Sequence, residues 1–385
     1  MRGYVVKRGP HSFAAVVYIG RDADTGRERR KWFSFKTRRE AEAHVTYLVS
    51  QIQGGGTLPA TKQRVGEYLE QWLKDYAEGS LGPITIVRYQ GIIRKYLIPT
   101  LGHVPLARLS PQTIQGYLTG LQQKGLSTTT VRYHAVILHE SFGHAVKWGL
   151  VARNPVDHVQ VPRKQYVEMR IWDEEQVKLF LAEGKRSSPY YPLYLAALTT
   201  GMRQGELLGL RWQDVDFLLG EVRVTQTFYR LGGRAIFKAP KTDKARRTVA
   251  VPPVLLEALK SLGEVRNRRK REAGDAYEDL DLVFCQTLGK PLHAHNVVRR
   301  DFRDVMKRAK VPRIRFHDLR HCHATLLLQQ GVHPKIVQER LGHATPAFTL
   351  HIYSHVLPGM QHEAVARLQD RLFSSHSGEN ESSSR

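Results

Sequence analysis

The sequence predicts a multidomain fold in three parts: a small β-sheet with one helix, an all-α domain, and a mainly α domain with a small β-sheet. The chain has 385 residues, more than one ordinary domain, and 41% hydrophobic residues, enough for separate cores. Apolar residues alternate near the N-terminus and then change to helical periodicity. Two linker-like stretches separate these patterns. We therefore place the domains at residues 1–56, 57–160 and 161–373, with a disordered Ser-rich tail at 374–385.

The first domain has the pattern of strands followed by a helix. Ser12–Gly20 alternates apolar and polar residues, a DADTG turn follows, and Arg29–Lys36 forms the next strand. Thr37 and Glu40 have the spacing of a capping box, which predicts that a helix begins here. The three glycines that come after this helix indicate a flexible linker.

The second domain is predicted to be a four-helix unit, because its apolar residues recur at helical spacing. Ser110 followed by Pro111 is typical of a helix N-terminus, while Pro99 and Gly102 are expected to close the second helix. The four predicted helices are Val65–Tyr76, Thr85–Leu97, Ser110–Leu121 and Ser127–Trp148.

The third domain combines helices with a few strands. Asp173 is expected to cap a helix that begins with two acids, and Gly201 is expected to let the chain turn after an apolar helix, Tyr190–Thr200. The other predicted elements are strands at Glu221–Thr227, Arg247–Val251 and Leu282–Phe284, helices at Asn296–Lys310, His317–Gln330 and Pro334–Leu341, and a tail helix from Ala364 to Phe373.

Six residues of the third domain form a set suited to phosphoryl transfer. They lie, in order, in the segments TTGMRQGELLGL, APKTDKARRTV, HDLRH, ERLGH and HIYSHV. The order and context of these residues resemble the tyrosine recombinases, and most closely the phage-type integrases. The six residues are Arg203, Lys241, His317, Arg320, His343 and Tyr353.

The chemistry of DNA cleavage explains why these residue types are needed. Two arginines can grip the non-bridging oxygens of a phosphodiester with bidentate donors. A tyrosine hydroxyl can attack phosphorus and hold the strand covalently. A lysine can protonate the departing 5′-oxygen, and histidines can donate to the phosphate or manage the tyrosine proton. Because the phosphotyrosine keeps the bond energy, we expect no cofactor. Lys244 remains an alternative to Lys241 as the acid.

The resemblance implies a site-specific recombinase that forms a 3′-phosphotyrosine and works as a homotetramer on double-stranded DNA. The three domains would bind arm-type sites, bind core-type sites and cleave, and DNA-bending and directionality factors would be further partners. Glu206 matches an acid of the family that orients Arg203. A merely solvated hairpin is the alternative for the first domain. The candidate DNA-contacting residues are Arg27, Arg29, Arg30, Lys31, Arg88, Arg94, Lys95 and Arg132.

A metal site is the main rival interpretation of the histidines. His317 and His321 are four residues apart, with Cys322 and His323 beside them, and such spacing can bind zinc. The chain has no HExxH motif, so the general base of a zinc protease is missing. We therefore interpret these histidines as phosphate donors or structural residues, and Cys322 as a packing residue.

Two other functions would use the same scaffold. A type IB topoisomerase shares the chemistry but relaxes DNA as a monomer, and the arm-like first domain argues against it. A non-catalytic DNA-binding regulator would not need all six residues. The net charge of +23 indicates a polyanionic partner. Two cysteines, no signal-peptide core and no membrane-length apolar run predict a cytoplasmic protein, and the resemblance implies the nucleoid of a bacterial host.

Overall fold

The chain divides into two compact units, Met1–Val167 and Glu168–Arg385. The computed structural model describes these residues: 3–9, 12–21, 28–53, 62–163, 170–240, 246–343, 345–347, 350, 365 and 369. The predicted tail helix and the tail at 374–385 lie outside this description, apart from two isolated positions. The three predicted domain boundaries stay predictions.

The first unit begins with an antiparallel sheet covered by one helix. The strand order is β1-β2-β3, and the rings of Phe33 and Phe35 contact His44 of the helix at centroid distances of 4.7 and 4.9 Å. The capping box is confirmed: the Glu40 N–H donates to Thr37 Oγ1 and the Thr37 N–H donates to a Glu40 carboxylate oxygen, both at 3.3 Å. Sequence analysis missed the first strand. The elements are β1 (Gly3–Gly9), β2 (Ser12–Arg21), β3 (Glu28–Phe35) and α1 (Arg38–Gln53).

Four helices follow in the first unit, as predicted. The Ser110 and Ser127 side chains accept hydrogen bonds from the Thr113 and Thr130 N–H groups, which fixes the start of the third and fourth helices. Trp72, fully buried, stacks on Tyr89 at the centre of their core. The helices are α2 (Val65–Trp72, continuing to Ser80), α3 (Pro83–Ile92, continuing to Leu101), α4 (Pro111–Gln123) and α5 (Thr128–Lys147).

Pro99 does not close α3, contrary to the prediction. A π-helical turn at Ile93–Leu97 comes just before it, and the chain stays helical through Ile98–Leu101. A wider turn accommodates a proline, which lacks an N–H, with less clash than a regular α-helical turn. The prediction for Gly102 is confirmed: the helix ends there, where any Cβ would come within 2.4 Å of the Ile98 carbonyl oxygen.

The second unit is mainly helical. Asp173 and Gln176 form a reciprocal cap at the start of its first helix, as predicted for Asp173. The helices are α6 (Glu174–Ser187), α7 (Tyr191–Thr200), α8 (Gln204–Leu208), α9 (Pro253–Ala273), α10 (Phe302–Arg308, preceded by a π-helical turn at His295–Asp301), α11 (Asp318–Gln329) and α12 (Pro334–Leu341).

The strands of the second unit differ from the prediction. The strand predicted at Glu221–Thr227 ends at Val224, and a separate hairpin follows, turning at Gly232 and Gly233 with φ of 56° and 81°. Positive φ favours glycine, so this Gly-Gly pair was a hairpin signal that the prediction overlooked. The strands are β4 (Val215–Asp216), β5 (Glu221–Val224), β6 (Thr227–Leu231), β7 (Arg234–Lys238) and β8 (Arg247–Ala250), with sheet order β4-β5-β8 and a β6-β7 hairpin.

An aromatic core holds the helices of the second unit together. Trp172, Phe180 and Phe302 are fully buried and pack ring against ring. Cys322 lies in the same core and accepts a hydrogen bond from the Trp172 N–H, so the packing interpretation of this cysteine is confirmed. The segment Leu282–Phe284 is buried as predicted, but it makes only an isolated β-bridge rather than a strand. Within the described residues, no helix has the length and apolarity to cross a membrane.

Candidate active site

Gly201 sets the geometry at the start of the site. It ends α7 in the left-handed region with φ of 64°. A Cβ at this position would lie 2.6 Å from His323 Cδ2 and 2.8 Å from Leu341 Cδ2, closer than any real contact. Only glycine therefore fits, and the chain turns sharply enough for Arg203 to stand at the N-terminus of α8.

Arg203 is held by the acid three residues after it. One oxygen of the Glu206 carboxylate accepts from the Arg203 guanidinium at 2.8 Å, and the other accepts from the Arg203 backbone N–H at 2.8 Å. The Glu206 side chain is 2% exposed, whereas that of Arg203 is 40% exposed. These two bonds hold the backbone N–H and one guanidinium nitrogen of Arg203, while part of its side chain stays exposed to solvent.

Glu206 has a second arginine partner, Arg247, at the start of β8. The Arg247 guanidinium donates to both carboxylate oxygens, at 2.8 and 3.3 Å. Burial alone would raise the pKa of the Glu206 carboxyl, but the hydrogen bond and charge of Arg247, aided by the charge of Arg203, hold this pKa below its ordinary value. Glu206 is thus a carboxylate at neutral pH.

Arg320 lies deeper than Arg203 and is anchored by backbone oxygens. It is 3% exposed, and its guanidinium donates to the carbonyl oxygens of Gly201 at 2.7 Å and Leu341 at 2.6 Å. Arg203 reaches the next carbonyl, that of Gly342, at 3.5 Å. Two arginines from distant parts of the chain therefore meet at the turn that ends α12.

His343 follows this turn directly. It is 7% exposed, and Gln338 binds both its N–H and its carbonyl oxygen. Burial and the nearby charges of Arg320 and Arg203 lower the pKa of the imidazole to about 3. His343 is therefore neutral at pH 7 in the free protein.

His317 stands at the other end of the site, at the N-terminus of α11. Its side chain is exposed, yet the surrounding protein and the charge of Arg320 lower the pKa of its imidazole. The His321 ring packs edge-on against it, with centroids 5.3 Å apart. Burial and the neighbouring His317 lower the pKa of His321 to about 4. Two neutral imidazoles thus lie side by side.

The structure brings together four of the six predicted residues: Arg203, Arg320, His343 and, at the rim, His317. Lys241, its rival Lys244 and Tyr353 lie outside the described residues. In the described part of the chain, no group of three or more His, Cys, Asp or Glu side chains is arranged to hold a metal ion.

The predicted DNA-contacting residues fall on the first unit. Arg27 lies outside the described residues, as do the side chains of Arg29 and Lys31. The other candidates have protein neighbours. Two donate hydrogen bonds: Arg30 to the Tyr4 hydroxyl at 3.4 Å and Arg132 to the Pro162 carbonyl at 2.7 Å. Two lie over aromatic rings, Arg88 at 4.9 Å from the Tyr133 centroid and Lys95 at 5.4 Å from that of Tyr96, and Arg94 makes a bidentate pair with Glu70 at 2.9 Å. Arg94 would have to leave Glu70 to bind a phosphate.

Sequence reasoning missed two arginines that support the site. The prediction used Arg247 only as the first residue of a strand and gave its side chain no role in the site. Arg340, in α12, donates to the carbonyl oxygens of Thr199 at 3.0 Å and Ala250 at 3.1 Å, and so joins the ends of α7 and β8. Nothing in the local sequence separates these arginines from exposed ones in the same basic segments.

Comparisons with known proteins show which proteins the chain is similar to. The model of the Phage integrase family matches residues 170–360, and that of the phage integrase N-terminal SAM-like domain matches residues 65–122. A tyrosine recombinase XerC-like protein of Caldanaerobacter subterraneus subsp. tengcongensis is 34% identical, covering 95% of this chain and 97% of that protein. The ICEBs1 integrase of Bacillus subtilis is 29% identical, covering 73% and 76%.

Solved structures show the same fold. The Tn1549 transposon integrase in complex with circular intermediate DNA has a TM-score of 0.66 at 21% identity, covering 80% of this chain and all of that one. A lambda integrase tetramer bound to a Holliday junction has a TM-score of 0.58 at 18% identity, covering 90% and 94%.

Proposed function

The chain belongs to the phage integrase family and is a tyrosine-type site-specific recombinase, and from this premise we propose how its residues divide the reaction. The observation that carries the assignment is the meeting of Arg203 and Arg320 at the turn that ends α12, beside His343. Two anchored guanidinium groups at one place are suited to a phosphodiester, whose transition state gains negative charge on its non-bridging oxygens.

The two arginines serve as the phosphate clamp. Arg320 is fixed by two backbone carbonyls and Arg203 by a buried carboxylate, so neither needs to reorganise when the substrate arrives. Preorganised donors of this kind are usually the largest single contribution to catalysis. We assign Glu206 to holding Arg203 in place rather than to proton transfer, because its carboxylate is buried and already paired.

The histidines remain neutral until the substrate binds. The surrounding protein and the arginine charges lower the pKa values of both imidazoles, and the negative charge of an incoming phosphate would offset the arginine charges. A neutral imidazole can accept the tyrosine proton or donate a hydrogen bond to a non-bridging oxygen. His317 and His343 are assigned to these two tasks together.

The covalent steps use the two residues outside the described part of the chain. The Tyr353 hydroxyl attacks phosphorus, its proton passes to a base in the site, and the bond to the 5′-oxygen breaks. Lys241 supplies the proton that the departing 5′-oxygen takes up. The free 5′-hydroxyl of one strand then attacks the phosphotyrosine of the partner strand and releases Tyr353. Two such rounds, passing through a four-way junction, exchange two DNA duplexes and require no ATP.

The proposal also assigns a DNA site to each domain, an oligomeric state and a cellular location. We assign residues 1–56 to arm-type sites, 57–160 to core-type sites and 161–373 to catalysis, in a homotetramer on two DNA sites. The element served is a phage or an integrative element in a bacterial cytoplasm, at the nucleoid, with DNA-bending and directionality factors as further partners. The net charge of +23 supports binding to DNA.

Trapping the covalent intermediate tests the assignment of the nucleophile. Tyr353→Phe removes only a hydroxyl, so this variant should bind core-type DNA with unchanged affinity and form no denaturation-resistant adduct. Tyr191→Phe is the matched control and should form the adduct normally. An adduct that persists in Tyr353→Phe moves the nucleophile elsewhere. Adducts on single sites, with relaxation of supercoiled DNA and no strand exchange, would favour the topoisomerase alternative.

A further inference from the structure

We propose that Arg247 is a positioning residue for the reaction: it acts through the Glu206 carboxylate to hold Arg203 in place and to leave this group of charges net positive for the scissile phosphate. This inference rests on the proposed role of Arg203. Arg247 begins β8, far from Arg203 in sequence, and its side chain is only 6% exposed. Its guanidinium donors bind Glu206 and its Nε binds the Arg340 carbonyl oxygen, so we place its effect on the substrate in these neighbours.

One buried carboxylate is shared between the two arginines. Oε1 of Glu206 accepts from Nη1 of Arg203 at 2.8 Å and Nη1 of Arg247 at 3.3 Å. Oε2 accepts from the Arg203 backbone N–H and from Nη2 of Arg247, both at 2.8 Å. Each oxygen is thus held from both sides. Without Arg247, the carboxylate would keep its two bonds to Arg203 but lose the two from the other side, so the Arg203 guanidinium and the carboxylate could shift together.

The charge balance gives Arg247 a second effect. An isolated pair of Arg203 and Glu206 carries one positive and one negative charge, so it offers the phosphate no net charge. Adding Arg247 makes two positive charges against one negative, a net charge of +1. Because Arg247 is buried while the Arg203 side chain is 40% exposed, this surplus is available on the Arg203 side. In a partly dry site such a charge is screened less than in water.

Arg247 also ties this group to the turn that carries the rest of the clamp. Its Nε donates to the Arg340 carbonyl oxygen at 2.6 Å. The next two carbonyls along the chain, those of Leu341 and Gly342, accept from Arg320 and Arg203. A single side chain therefore fixes both the carboxylate that orients Arg203 and the turn where the two arginines meet.

Changing the charge of the scissile phosphate tests this role, because a merely structural residue would affect all substrates alike. We would measure cleavage of a suicide core-site substrate with a natural phosphate, with a neutral methylphosphonate, and with a 5′-thio leaving group. The variants are Arg247→Gln, which loses the charge, and Arg247→Lys, which keeps the charge but loses the fork of donors.

Arg247→Gln should cleave the natural substrate at least about tenfold more slowly, a fraction of the cost of losing an oxyanion donor, with binding unchanged. The defect should shrink on the methylphosphonate, which needs less positive charge, and persist on the 5′-thio substrate, whose leaving group needs no proton. Arg247→Lys should fall between Arg247→Gln and the unmodified protein. Glu206→Gln removes the shared negative charge and both bonds that place Arg203, so it should slow all three substrates without the smaller defect on the methylphosphonate. Arg247→Lys reports on the charge effect if Arg247→Gln does not fold.

Arg211 provides the matched control within the same unit. It pairs with Asp214 at 2.8 Å and with Thr225, and no contact described for it involves a residue of the clamp. Arg211→Gln should lower stability but leave the relative rates on the three substrates unchanged. Equal losses on all three substrates for Arg247→Gln, as for a structural change, would overturn the inference, as would rescue by the 5′-thio group alone. If Arg203→Ala itself cleaves normally, the proposed function fails first, whatever Arg247 does.

Discussion

Replacing Gly201 by alanine should damage both stability and cleavage. An alanine in the left-handed region costs about 1–2 kcal/mol. The new Cβ would also lie 2.6 Å from His323 Cδ2 and 2.8 Å from Leu341 Cδ2. Neither neighbour can move aside easily, because Leu341 is buried and the His323 ring is bonded to the Leu198 carbonyl oxygen at 2.8 Å. Overpacking of this kind adds about 1–3 kcal/mol, giving a total of about 2–5 kcal/mol.

The loss of cleavage should exceed what the loss of stability explains. The Gly201 carbonyl oxygen accepts from Arg320, and Arg203 follows two residues later, so a shift of this turn moves both arginines. A displacement of about 1 Å in a catalytic group can cost about a hundredfold in rate. Denaturant unfolding would give the stability, and single-turnover cleavage of a suicide core-site substrate at a temperature where the variant is folded would give the rate.

Gly220→Ala separates the two contributions. Gly220 also has a positive φ, 67°, but the nearest atoms to a Cβ there are 3.8 Å away. This variant should lose only about 1–2 kcal/mol and cleave at the normal rate. If Gly201→Ala is no less stable than Gly220→Ala and cleaves equally fast, the argument that Gly201 sets the position of the clamp is wrong.

Three further predictions concern protons and domains. In the unfolded chain, His323 and His343 bind protons below about pH 6.5, but in the folded chain they do not, because both pKa values are about 3. The free energy of unfolding should therefore be flat above pH 6.5 and fall by about 2 kcal/mol per histidine by pH 5. NMR signals that show either imidazole charged at pH 6 would contradict this. Lys241→Ala should be rescued by a 5′-thio leaving group, and rescue of Lys244→Ala instead would reassign the acid. Residues 57–385 should cleave core-type sites but lose protection of separate arm-type sites, and identical footprints with the full chain would remove the first domain as a DNA reader.

Helix starts could be predicted where the residues that form the cap are close together in the sequence. The caps at Thr37, Ser110 and Asp173 are confirmed, because each depends on a side chain and a backbone N–H only three residues apart. The prediction that Pro99 closes a helix was wrong because the outcome there depends on contacts that are not local. The π-helical turn that accommodates this proline is stabilised by packing of Ile93 and Leu97 in the core, which no local pattern reports.

By itself, the sequence determined the chemistry: which residue types are present, in what order, and therefore which reaction they suit. The tertiary structure alone decided how the side chains of the site residues that the structure describes are held in place. Arg203 meets the Gly342 carbonyl across 139 residues, Arg320 meets that of Gly201 across 119, and Arg247 meets Glu206 across 41. Such contacts form only after several helices and strands have packed together, so their energy depends on the whole unit. This is why a buried positioning arginine and an exposed DNA-facing one look alike in the sequence.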